Sequence, residues 1–161
     1  MTPDLLARLD DCSDELEKIK TRINKDQFDD MVRFLQRYAI IKACGTIEYV
    51  VKNMIADYVD AGSSAELQNY ISIRVRDSST NPTTGNISNL LGEFSSTKWK
   101  KIFDDSLTTH AEEKASLNSL VQLRNDFAHG KSPTIGILNI IKYFNHARTI
   151  VSLVETALTA T

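Results

Sequence analysis

The apolar positions of this chain recur with the period of a helix, and few residues interrupt that period. Leu5, Leu9, Cys12, Leu16, Ile19 and Ile23 follow one another in steps of four and three, a heptad seam. That spacing gathers all six side chains on one side of an α-helix, whereas a strand would scatter them over both faces. Thr2 suits the N-cap position and Pro3 the first helical position, so a helix is expected over residues 3 to 24. Its seam either packs on the remainder of its own bundle or docks on a second chain.

The same period continues. A second helical run is expected from Asp26 to about Asp60, with Phe28, Leu35, Tyr38, Cys44, Ile47, Val51, Ile55 and Tyr58 among its apolar positions. Gly45 offers a site for a bend, and Ala61-Gly62 a C-cap. Ser63 or Ser64 can cap a third helix reaching about Arg76. The stretch Asp77 to Gly85 is rich in turn formers and reads as a loop. Short helices are expected at 86–94 and 96–105, then a longer one from about Thr109 to Ala128. Gly130 ends it, and Ser132-Pro133 should start the last helix as N-cap and N1. Ile137, Ile140, Ile141, Phe144, Ala147, Val151, Val154 and Leu158 form the stripe of that helix. The expected fold is all-α: an up-and-down helical bundle over residues 26–161, preceded by the heptad-patterned helix of residues 1–25, in a single domain.

Composition narrows the function classes. With 42% hydrophobic and 25% charged residues the chain resembles an ordinary globular protein. No window approaches the unbroken apolar length that a membrane span needs, and the acidic start lacks the basic region of a secretory signal. The two cysteines, Cys12 and Cys44, lie far apart at apolar helical positions, which suits buried free thiols. A cytoplasmic protein without a membrane partner is the expectation. The net charge of −2 offers no global field for nucleic acid, though it leaves room for a local basic cleft.

Several chemistries lack their residues. His110, His129 and His146 form no HxxxH or HExxH pair, so no metal site is expected, and no cofactor. A phosphate-binding Gly-rich loop and a GxSxG elbow are likewise absent. The adjacent pairs Asp29-Asp30 and Asp104-Asp105 point to different helix faces and make no dyad.

The segment Arg124-Asn125-Asp126-Phe127-Ala128-His129-Gly130 is different. His129 falls in the last turn of a helix, where the partial negative charge of the terminus favours the imidazolium form. Asn125 lies four residues earlier on the same face. Arg124 is about 140° round the helix from His129, but its long side chain can swing towards it. A guanidinium, an imidazole and an amide beside an interhelical turn form a reasonable phosphate clamp. They suit transesterification within RNA, in which the 2′-hydroxyl attacks the adjacent phosphorus. Histidine moves the proton near neutral pH, and Arg124 stabilises the charge of the transition state. DNA has no internal nucleophile and is excluded as a substrate. One chain supplies one suitable histidine, so a two-fold dimer bringing two His129 side chains together would complete the site. An Arg-x4-His spacing arises by chance in roughly one chain in six of this length, and the added polar residue and glycine reduce that to about a few in a thousand. The structural alternative is a polar cap holding the last two helices together.

These residues, Leu123 to Gly130, followed by a final amphipathic helix, resemble the HEPN superfamily of all-α domains. The segment Gly45-Thr46-Ile47-Glu48-Tyr49-Val50-Val51 is similar to the early core helix of its RiboL-PSP or MAE-type branch. The resemblance extends over residues 26 to 160. It implies a helical bundle, homodimerisation around the motif, and metal-independent endoribonuclease activity in toxin–antitoxin or phage-defence systems. An antitoxin or other defence-system protein would then be a partner. It further implies that Arg124 and His129 are catalytic and that Asn125 assists them, next to Gly130. The alternatives are a catalytically silent HEPN module that binds RNA or scaffolds a nucleotidyltransferase, and a purely structural bundle. Glu48, among apolar neighbours, either pairs with Arg124 or forms a rim salt bridge. Lys98, Lys100 and Lys101, around Trp99, and Lys131 are expected to contact RNA, or else to be a solvated face.

Overall fold

Pro3 opens helix α1 (Pro3–Lys25), its fixed φ already suited to the first turn. Every residue of the heptad seam, from Leu5 to Ile23, is buried within the chain. The helix therefore packs on its own bundle. It stops at Asp26, whose backbone is extended. Asp26 and Asp29 then use their side chains locally: Oδ1 of Asp26 accepts the amide of Phe28 at 3.0 Å, and Oδ1 of Asp29 that of Met31 at 2.8 Å. These side-chain turns compete with helix, so α2 (Val32–Asp60) begins at Val32 and not at Asp26. Phe28, expected on its apolar face, is 99% exposed.

The computed structural model describes residues 1–131 and 135–160. Among them the remaining helices are α3 (Ala65–Ile71), α4 (Thr84–Ser95), α5 (Lys101–Leu107), α6 (Ala111–Ala128) and α7 (Ile137–Thr159), and no strand is present. Wide π-helical turns at Ser72–Arg76 and Ser96–Lys100 prolong α3 and join α4 to α5. α2 runs unbroken through Gly45 and ends at Ala61-Gly62, with Gly62 at φ +80°. Ser64 caps α3 by accepting the Leu67 amide. Thr83 does the same for Asn86, so α4 starts at Thr84, inside the stretch expected as loop. α6 starts at Ala111, close to expectation. α7 starts later than expected, after Gly136; Ser132 and Pro133, the expected start, lie outside the described residues.

α1, α2, α6 and α7 share one core, in which Phe103 of α5 and Phe144 of α7 are the largest fully buried side chains. Cross-links show the directions. Glu15–Lys42 at 2.7 Å and the Arg8 guanidinium over the Tyr49 ring set α1 antiparallel to α2. Arg148–Asp10 at 2.6 Å and the Met1 amino group on Glu155 set α7 antiparallel to α1. The result is an up-and-down bundle. α3 to α5 lie against it, with a satellite cluster of Ala56, Ile71 and Val75. The end of α6 reaches the first half of α2, where Arg37 stacks over Phe127 with 5.2 Å to the ring centroid. No helix among the described residues is long and apolar enough to cross a membrane.

Candidate active site at the end of helix α6

The end of α6 is fixed by backbone hydrogen bonds. His129 is the C-cap; its amide donates to Asn125 O at 3.0 Å. Gly130 takes φ +79°, its amide donating to Phe127 O at 3.0 Å, and the Lys131 amide reaches back to Asp126 O at 2.9 Å. This pair of bonds is the Schellman arrangement, and the left-handed residue in it is normally glycine because a Cβ there crowds the carbonyl. The backbone of His129 is thus held while its side chain is exposed to solvent. Among the described residues no side chain hydrogen bonds its imidazole.

Arg124 is half-buried and points elsewhere. Its Nη1 donates to Oδ1 of Asn81 at 2.6 Å and to Oδ1 of Asn125 at 3.4 Å. No acceptor for its Nη2 or Nε donors is found among the described residues, and no hydrogen bond joins it to His129. Arg124 and Asn125 are therefore brought together, and His129 stands apart on the same helix end. Glu48 does not pair with Arg124: its carboxylate holds Lys52 at 2.5 Å, one turn along α2. Lys52 is 6% exposed and also donates to the Ser78 carbonyl. Burial leaves a lysine few options, and a carboxylate four residues away satisfies it at once. Cys44 lies within reach of both charges, Arg124 and Glu48. Burial above all pushes its thiol up to about 11.

The lysines expected to contact RNA divide. Lys131 pairs with Asp126 at 2.9 Å across the helix end. That hydrogen bond foremost, with another from Gln122, holds the Asp126 carboxyl below its ordinary value against desolvation. Lys100 donates to Ser88 at 2.5 Å and pairs with Asp104 at 2.8 Å; Lys101 pairs with Asp105 at 2.5 Å. Lys98 is exposed. Trp99 between them packs edge-on to Tyr58 at 5.4 Å, near the far end of α2. Along α2, Tyr58 is roughly 30 Å from Arg37, which stacks on the motif, at the helical rise per residue. That run is not part of the same site.

Three features at the site escape a reading of the sequence. Asn81 meets Arg124 from a loop that looked merely polar. Lys52 is buried although it looks like surface. Met31, Phe34, Tyr38 and Ile41 form a stripe in steps of three and four that stays exposed beside the motif, with Phe34 at 47%, and Arg33 and Arg37 face the Phe34 ring. The spacing was a detectable signal, but α2 is apolar on nearly every side, which conceals a seam that is not core.

A family model described as RiboL-PSP-HEPN matches residues 7–160. The matched span thus begins inside α1, whereas the resemblance carried by the motif and the α2 core segment extends from residue 26. No curated protein and no solved structure matches the chain.

Proposed function

Since the chain belongs to the RiboL-PSP-HEPN family, we propose that it is an endoribonuclease whose site is completed by a second copy of itself. The observation that carries this reading is the state of the motif. His129 ends a capped helix and, among the described residues, its imidazole takes no hydrogen bond and the Nη2 and Nε donors of Arg124 meet no acceptor, which leaves them for an anion. In the proposed reaction one His129 takes the proton of the 2′-hydroxyl as its oxygen bonds to phosphorus. The bond from phosphorus to the 5′-oxygen breaks, and the partner chain's imidazolium protonates that leaving oxygen. Arg124 stabilises the charge gathered on the non-bridging oxygens, and Asn125 supports Arg124 and contacts the phosphate. The products are a 2′,3′-cyclic phosphate and a 5′-hydroxyl, and no step requires a metal. The exposed stripe Met31–Phe34–Tyr38–Ile41 adjoins Phe127 through Arg37 and is suited to pair with its own copy about a two-fold axis. A role as a toxin or phage-defence effector, held in check by a partner protein, fits a nuclease of this kind.

One observation favours a second reading. Among the described residues Arg124 contacts Asn81 and not His129, an arrangement that also suits a module that binds RNA or a partner without cleaving. Incubation of the purified protein with RNA in EDTA separates the two. Cleavage to cyclic phosphate ends, lost in Arg124→Ala and in His129→Ala by a hundredfold or more, on the order of one removed charge-stabilising donor, supports the nuclease. Intact RNA, bound equally by wild type and variants, overturns it in favour of the silent module.

A further inference from the structure

Asn81 contacts Arg124 from a segment tied by hydrogen bonds on both sides of it. Its backbone carbonyl accepts from Asn86 Nδ2 at 2.8 Å and from the Thr83 amide at 2.9 Å. Pro82 follows it and is buried, which restricts Asn81 to extended backbone. On the near side Lys52 of α2 donates to the Ser78 carbonyl. On the far side Asn118 of α6 accepts the Thr84 amide at 3.0 Å and the Thr84 hydroxyl at 3.3 Å. Where Asn81 and Pro82 face α2 and α4, a crevice of about 20 Å³ remains. The Asn81 side chain is therefore a fixed acceptor, carried by a loop that α2 and α6 hold rigid.

Its chemistry matters as much as its position. An amide oxygen aims a guanidinium without cancelling its charge, whereas a carboxylate would pair with it. The nearby carboxylate, Glu48, is occupied by Lys52. Among the described residues Arg124 has two neutral hydrogen-bond partners, Asn81 and Asn125, both on Nη1. One edge of the guanidinium is anchored, and among the described residues no acceptor takes the donors of the other.

We infer that Asn81 is a positioning residue for Arg124, holding the guanidinium in the orientation that receives the scissile phosphate while leaving its charge uncompensated. This deepens the nuclease reading and rests on it. Its test compares Asn81→Ala and Asn81→Asp with wild type for RNA cleavage, RNA binding and thermal melting. In Asn81→Ala the expected result is a kcat lower by about a hundredfold, the scale for a misplaced reacting group, with KM nearly unchanged. Asn81→Asp keeps an acceptor for Arg124 and so melts at or above the wild-type temperature, yet cleaves as poorly as the alanine variant because the charge is neutralised. A purely structural Asn81 predicts the opposite for this second variant: stable and active. That result overturns the inference, as does unchanged kcat in Asn81→Ala. If Asn81→Ala fails to fold, the aspartate variant decides. Wild-type protein that cleaves no RNA overturns the nuclease reading itself, and this inference with it; an active wild type isolates the inference.

Discussion

Gly130 is the residue on which the geometry of the motif turns. Its left-handed backbone closes the Schellman bonds that fix His129. Alanine there should cost about 1 kcal/mol through its Cβ alone, which lowers the melting temperature by roughly 2–4 °C for a chain of this size. Asparagine should cost less, because it tolerates the same backbone. Equal melting temperatures for glycine, alanine and asparagine would show that the helix end is not held in this way. A second residue-scale expectation concerns Cys44. Its thiol is raised from 9.0 to about 11, chiefly by burial, so the folded state keeps it protonated. That stabilising difference is fully present below pH 9.0 and is lost as pH rises through about 11, because only the unfolded chain releases the proton readily. Denaturant melts at pH 8 and pH 10.5 should show a larger loss of stability in wild type than in Cys44→Ala, each measured against its own value at pH 8. Parallel losses would refute it.

At the scale of elements, α1 is the clearest case of local pattern dictating tertiary role. Leu16 is fully buried between α1 and its neighbours. Leu16→Ala should therefore cost roughly 2–5 kcal/mol, the range for removing a core leucine, readable as a shift in the urea midpoint. A shift no larger than that of the exposed Leu6→Ala would mean that α1 is not docked. The heptad seam was legible because steps of three and four need no knowledge of what lies opposite. The start of α2 was not: Asp26 looks like a helix-initiating residue, but its carboxylate and that of Asp29 are spent on the Phe28 and Met31 amides. The site divides in the same way. Arg124, Asn125, His129 and Gly130 share one short segment and could be read together. Asn81 is separated from Arg124 by most of three helices, and no periodicity records that they meet. Glu48, expected to pair with Arg124 or to form a rim salt bridge, instead holds the buried Lys52 one helical turn away, since satisfying that lysine locally outweighed reaching across to Arg124.

For the whole molecule, the proposed two-fold site makes activity a property of concentration. Specific cleavage rate should rise with protein concentration and then level off as the dimer fills. Phe34→Glu places a like charge at both sides of the proposed seam and should give a monomer by light scattering whose cleavage is lost while its helicity is kept. A monomeric but fully active variant would remove the composite site from consideration. The arrangement of the layers has a spectroscopic consequence as well. Trp99 is the chain's single tryptophan, and it is wedged among Tyr58 and Phe94, where the α4–α5 layer meets the end of α2. Intrinsic emission therefore follows the peeling of that layer from the bundle. It stays dark to what happens at His129, so an RNA titration has to carry its own fluorophore.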